Sequence, residues 1–239
     1  MKKEQFSAIP LVVTGIIFLI LFSIIAWGVY FESSWVKSFD LSWIDRIQGS
    51  VSESKTAFLM TLTELGNIRL IIVLTIIIAI VLFSKRRYAE GLWLGGTILF
   101  CAAIMGKILK EMFDRERPQF MQLVERSTES FPSGHATATT IFYGLIGLVI
   151  VLAATKAWKK FVAGFISLAW IVFILVTRVY LGVHFPTDVI AGFLYGMAAV
   201  FLSVGIYLVV REPLRNLLRR MKLNDQSKLF SGREERTRG

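Results

Sequence analysis

Six apolar stretches, near residues 9–30, 66–84, 90–109, 133–154, 160–181 and 187–210, alternate with short polar segments along the chain. At about 1.5 Å per helical residue, each is long enough to cross a hydrocarbon core of about 30 Å when tilt is allowed for. The pattern therefore predicts an all-α, polytopic membrane protein: a bundle of six transmembrane helices. Between the first two spans lies segment 32–65, where Trp35, Phe39, Leu41, Trp43, Ile44 and Ile47 alternate with charges. That periodicity predicts a short amphipathic piece on the membrane surface, with its tryptophans at headgroup level. Gly192 and Gly196 form a small-xxx-small pair in the last span, expected to admit a close neighbour within the bundle, and Gly95 and Gly96 in the third span carry a similar message.

Composition agrees with the pattern. The 239 residues are 55% hydrophobic and 13% aromatic, with a mean hydropathy of +0.63. The formal net charge of +10 would suit nucleic acid, but the basic residues gather at the ends of apolar runs and in the tail, so no nucleic-acid partner is expected. Lys2 and Lys3 precede the first span without a small-residue cleavage pattern, which reads as a retained span. Lys85, Arg86 and Arg87 follow the second span, and Lys156, Lys159 and Lys160 separate the fourth from the fifth. The segment after Val210 holds nine Lys/Arg against four Asp/Glu. All four basic segments predict one orientation, with both termini cytoplasmic and loops 32–65, 110–132 and 182–186 on the outer face. The expected organisation is one domain over 1–210 and a basic cytoplasmic tail over 211–239, a topology anchor followed by disorder. The single cysteine, Cys101, has no partner for a disulfide.

Three polar stretches meet the outer face. Phe131-Pro132-Ser133-Gly134-His135 opens the fourth span; a helix start with Ser133 and an approachable Gly134 amide is a natural cradle for an anion such as phosphate. Alone, a helix cap with an interfacial histidine is its plainer reading. Lys110 and Arg117, at the end of the third span, would share one helix face if the helix continued, and so grip a doubly charged oxyanion until Pro118 ends the helix. With Asp114 between them, the same residues fit a surface ion-pair stripe. Arg178, His184 and Asp188 bridge the last two spans. If the last helix begins near Pro186, Asp188 can reach back one turn to one imidazole nitrogen of His184 and leave the other free for attack. A satisfied interfacial His-Asp pair fits these residues equally well. With two histidines and no third clustered carboxylate, neither a metal nor any other cofactor is expected.

In order, Lys110-x6-Arg117-Pro118, Pro132-Ser133-Gly134-His135 and Arg178-x5-His184-x3-Asp188 resemble the motifs of the type 2 phosphatidic acid phosphatases, the lipid phosphate phosphatases that share a site with vanadium haloperoxidases. The resemblance covers residues 110 to 188 directly, and the six-span plan is similar to the compact bacterial members. It implies a metal-independent membrane phosphatase with a lipid phosphate as substrate and membrane lipids around it, in a bacterial cell membrane. It further implies that His184 is the nucleophile that becomes phosphohistidine, that Asp188 orients it, and that His135 is general acid and then base. Lys110, Arg117, Ser133, Gly134 and Arg178 would surround the phosphoryl oxygens. One departure is Thr177, where many members have serine; its hydroxyl is expected to keep a phosphate contact. Undecaprenyl diphosphate, phosphatidylglycerophosphate and phosphatidate remain equal candidates. The rival readings are a non-catalytic lipid-phosphate binder or transporter using the same cradle, which would not need His184 and Asp188, and an ion or solute transporter, which would place ionisable residues deep within spans.

Overall fold

A computed structural model describes residues 7–49, 51–119, 122–124 and 128–230. Lys2, Lys3 and the end of the basic tail, 231–239, lie outside the described residues. The described chain is helical without a strand: α1 (Ala8–Tyr30), α2 (Ser34–Gln48), α3 (Glu53–Thr63), α4 (Ile68–Ser84), α5 (Tyr88–Thr97), α6 (Met105–Phe113), α7 (Gly134–Ala153), α8 (Ala157–Tyr180) and α9 (Pro186–Arg220). Five helical segments are long and apolar enough to cross a membrane: α1, the continuous Tyr88–Phe113, α7, α8 and α9. A sixth forms if α3 and α4 are taken together across their 45° bend.

That bend amends the expected surface segment. Residues 32–65 make two helices and a 3-10 turn, Glu64–Gly66, which leads directly into α4. The turn lies against α7, since a Cβ on Gly66 would fall 2.4 Å from Thr139 Oγ1. Asn67 then starts α4 by accepting the Arg69 N–H at 3.0 Å.

Between α5 and α6 the span is π-helical from Ile98 to Ile104. Wider turns release carbonyls from the regular ladder and rotate the following face. The Cys101 carbonyl accepts from the Tyr195 hydroxyl of α9 at 2.9 Å.

The centre of the bundle is α7, with 56% of its apolar window buried against 11% for α1. Gly192 and Gly196 of α9 admit it: a Cβ on Gly192 would lie 2.8 Å from Ala136 Cβ, and one on Gly196 would lie 2.6 Å from Thr140 Cβ. The expected small-residue contact is thus internal to the bundle. Gly95 and Gly96 differ, because among the described residues no heavy atom beyond their own helix turns lies within 4 Å of a Cβ built on either.

The last helix runs ten residues past the expected end at 210. Residues 221–230 then fold back instead of beginning a disordered tail. Phe230 is buried in the main apolar cluster with Tyr207, and Gln226 N–H donates to the Arg86 carbonyl at 2.7 Å.

Candidate active site

The ends of α6, α7, α8 and α9 opposite the basic turns bring the three polar stretches together. Lys110 stands in the last turn of α6. The helix does not continue to Arg117 as the spacing suggested; it stops at Phe113, where Asp114 takes left-handed backbone at φ 43°. A short polar side chain tolerates that conformation better than most. The two cations meet instead through the Glu129 carbonyl, to which Lys110 Nζ donates and from which Arg117 Nη2 lies 3.2 Å away. Asp114 is exposed. Arg117 also donates from Nε to the Thr128 carbonyl at 2.6 Å and from Nη1 to the Val183 carbonyl, which sets Nη1 3.3 Å from His184 Nε2.

Ser133 caps α7, its Oγ accepting the Ala136 N–H at 3.4 Å, while its own N–H donates to the Asp188 carbonyl at 3.0 Å. That second bond ties the start of α7 to the start of α9. A Cβ on Gly134 would lie 3.7 Å from Lys110 Cε, so the lysine stem crosses the start of α7. His135 follows, half-buried, with its ring edge beside Gly66.

Arg178, in the last turn of α8, is 2% exposed. Its Nη1 donates to Thr63 Oγ1 at 3.2 Å. Thr177 Oγ1 lies 2.9 Å from the same Thr63 hydroxyl and 2.6 Å from the Ile174 carbonyl. A hydroxyl has one proton to give, so Thr177 shares it between these two acceptors, and the Thr63 oxygen accepts from both Thr177 and Arg178. Thr177 is 1% exposed, and its hydroxyl contacts the same Thr63 that accepts from Arg178.

Gly182, at φ 67°, turns the chain between α8 and His184. Pro186 is the first residue of α9, as the sequence suggests, and Asp188 Oδ2 accepts the Phe185 N–H at 2.8 Å across the first turn. The same oxygen is 3.6 Å from His184 Nδ1, and Ser130 fills the gap: its hydroxyl donates to Oδ2, and its oxygen is 3.4 Å from Nδ1. Burial depresses the His184 pKa well below the ordinary histidine range, and Arg117, Arg178 and Lys110 push it the same way. That direction favours the neutral imidazole. In the tautomer that donates from Nδ1 toward Ser130 and Asp188, the Nε2 lone pair is available.

Four contributors escaped the sequence reading: Ser130, Arg115, Asp40 and Thr63. Arg115 binds Asp188 Oδ1 at 2.6 Å with one nitrogen and Asp40 Oδ2 at 2.8 Å with the other, and its guanidinium lies 4.2 Å above the Phe185 ring. Asp40, on α2, accepts the N–H of Thr187 at 2.8 Å and its hydroxyl at 2.9 Å. Burial raises the Asp40 pKa, opposed by Arg115 and Thr187. Only Ser130, one residue before the Phe131 stretch, carried a local signal. Among the described residues, no three of His, Cys, Asp and Glu gather as a ligand set. An open cavity of about 340 Å³ borders Arg115 and Arg117, with Asp114, Glu116, Thr128 and Glu129 on its walls.

The PAP2 superfamily model matches residues 90–211, which contain all three motifs. Phosphatidylglycerophosphatase B of Bacillus subtilis is 36% identical over 149 residues, 60% of this chain and 71% of that protein. The undecaprenyl-diphosphatase of Sulfolobus acidocaldarius is 30% identical over 151 residues, covering 63% of this chain and 61% of its own length. A crystal structure of a transmembrane PAP2-type phosphatidylglycerolphosphate phosphatase from Bacillus subtilis superposes with a TM-score of 0.71 at 29% identity, over 81% of this chain and 95% of that one. Sequence motifs, helix arrangement and relatives converge: this chain belongs to the PAP2 superfamily of membrane lipid phosphatases.

Proposed function

We propose that this protein removes the terminal phosphate of a lipid mono- or diphosphate through a phosphohistidine on His184, at the outer membrane face. The observation that carries the reading is the two-sided setting of His184: Ser130 and Asp188 at Nδ1, Arg117 at Nε2. The Nε2 lone pair forms the N–P bond as the P–O bond to the lipid breaks, and His135 gives its proton to the leaving oxygen. His135 then takes a proton from water, whose oxygen attacks phosphorus; the N–P bond breaks and inorganic phosphate leaves. Lys110, Arg117, Arg178, Ser133 and the Gly134 amide offset charge on the phosphoryl oxygens.

The relatives favour a lipid substrate, since the Bacillus protein is named for phosphatidylglycerophosphate and the Sulfolobus protein for undecaprenyl diphosphate. Phosphatidate offers the same terminal group. The basic turns at 85–87 and 156–160 and the end of α9 lie at the bundle end opposite the site, which supports cytoplasmic termini and an outward-facing site. In that arrangement the expected division at 210 falls inside α9, with the catalytic residues before it and, after it, a cytoplasmic segment whose residues 221–230 pack back on the bundle.

The test is phosphate release by detergent-purified protein from a panel of lipid mono- and diphosphates in excess chelator, with His184→Ala in parallel. Release by the wild type and none by the variant is the expected outcome, and the panel ranks the lipids. Equal release by both would remove His184 as nucleophile; binding without release would leave a lipid-phosphate binder.

A further inference from the structure

Asp40 lies on α2, before the region matched by the family model and outside all three motifs. It is nevertheless 1% exposed and makes three direct contacts with the site, two to Thr187 and one to Arg115, whose other nitrogen binds Asp188. A buried carboxylate so far from its partners in sequence is costly unless paired. Its pairing also alters what Asp188 presents to His184. Arg115 and Asp188 alone form a neutral pair, in which the guanidinium cancels most of the field of the carboxylate. With Asp40 on the other edge of the guanidinium, the three groups carry one net negative charge.

We propose that Asp40 is a positioning residue for the phosphatase reaction: by acting as counter-ion to Arg115, it leaves the charge of Asp188 directed at His184. The proposal rests on His184 being the nucleophile. As the N–P bond forms, positive charge develops on the imidazole, and a net negative group behind Nδ1 stabilises it. Asp40 also satisfies the Thr187 N–H, one of the orphan donors at the start of α9, and so fixes the turn that carries Asp188. The amphipathic helix α2 thereby becomes part of the active-site frame.

The charged groups facing His184 are Lys110 from α6, Arg117 from the following loop, Arg178 from α8 and Asp188 from α9, with Arg115 and Asp40 behind Asp188. In Asp40→Asn, the unshared Arg115 charge weakens Asp188 and makes His184 less basic. The expected result is a kcat lowered by about tenfold to a hundredfold, the range found for outer-shell partners, with KM within about threefold. The acid limb of the kcat/KM profile should move to lower pH. A variant that merely loosened the site would hydrate His184 and move that limb upward, toward the ordinary histidine value. An unchanged kcat, or an upward shift of the limb, overturns the proposal. If Asp40→Asn does not fold, Asp40→Glu and Asp40→Gln give the same contrast, differing only in charge: Glu should retain the wild-type limb and Gln should not. His184→Ala, measured alongside, separates the two questions. Should it turn over normally, the nucleophile assignment fails, and ¹⁵N-histidine spectra decide the Asp40 proposal without reference to activity. With two histidines in the chain, the imidazole signals are readily assigned. A lower His184 titration in Asp40→Asn supports the proposal, and an equal or higher one refutes it.

Discussion

His184 is held neutral by burial first and then by Arg117, Arg178 and Lys110, so its folded pKa lies below the 6.5 of a free histidine. Between those two values the unfolded chain binds a proton that the folded chain does not. This residue's contribution to stability is therefore complete above pH 6.5 and is lost as the pH falls toward the folded value. The thermal midpoint of the detergent-solubilised protein should drop between pH 7.5 and 5, and His184→Gln should reduce the drop. Equal drops in both proteins would mean that His184 gains its proton as readily folded as unfolded. At this scale the sequence was informative where a residue type was out of place: His184, Asp188 and Arg178 beside long apolar runs need a partner or a task. Arg115 was hidden because Asp114-Arg115-Glu116-Arg117 reads as a solvated run of alternating charge. Asp40 was hidden because its partners Arg115 and Thr187 are remote in sequence, and no local pattern reports such a contact. At Thr177, the departure from the motif, the hydroxyl is directed to Ile174 and Thr63.

At the scale of elements, apolar length identified the spans well, since crossing a membrane leaves few alternatives to a continuous helix. What it missed were interruptions. The left-handed Asp114, the π segment from Ile98 to Ile104 and the bend at Gly66 lie near sequences that would otherwise extend a helix. These interruptions aim Lys110, Arg117 and Thr63 at the site. Helix contact was legible only as permission, and the structure shows where it is used. At Gly192 a Cβ would stand 2.9 Å from the Ser133 carbonyl and 3.1 Å from the Thr137 N–H, both backbone groups at the start of α7. Gly192→Ala must push apart the helix ends that carry Asp188 and His135. It should cost about 1–3 kcal/mol of stability, as overpacking does, and lower kcat as well, because small displacements of reacting groups are expensive in rate. Gly95→Ala meets open space and should be neutral or stabilising by up to about 1 kcal/mol. Thermal midpoints and kcat for the two variants check this; equal effects would show that the contact between α7 and α9 is soft.

For the whole molecule, the site lies at one end of the bundle and the last described residues brace the other. Asp225 accepts the Ala89 N–H at 3.1 Å and pairs with Arg215 at 3.3 Å, while Glu90 accepts the N–H groups of Lys228 and Leu229 at 2.7 and 2.8 Å. The Asp225 contact satisfies an orphan donor at the start of α5, and together these contacts fasten α5 to the fold-back segment and α9. The basic composition of the tail suggested only an anchor, because Glu90 and Asp225 look like ordinary surface acids until the chain folds back over them. Removing residues 221–239 would leave Glu90, now 4% exposed, without those two donors and would uncover Tyr207. With each lost buried hydrogen bond costing about 1–3 kcal/mol, the truncated protein should unfold at a clearly lower temperature. Its kcat near 25 °C should remain within about twofold of wild type, since no residue of the brace approaches His184 and distant, independent sites usually act additively. A truncated protein with an unchanged midpoint would show that the fold-back contacts are dispensable. One that stays folded but loses turnover would show instead that the packing of α5 against α9 reaches through the Tyr88–Phe113 span to Lys110.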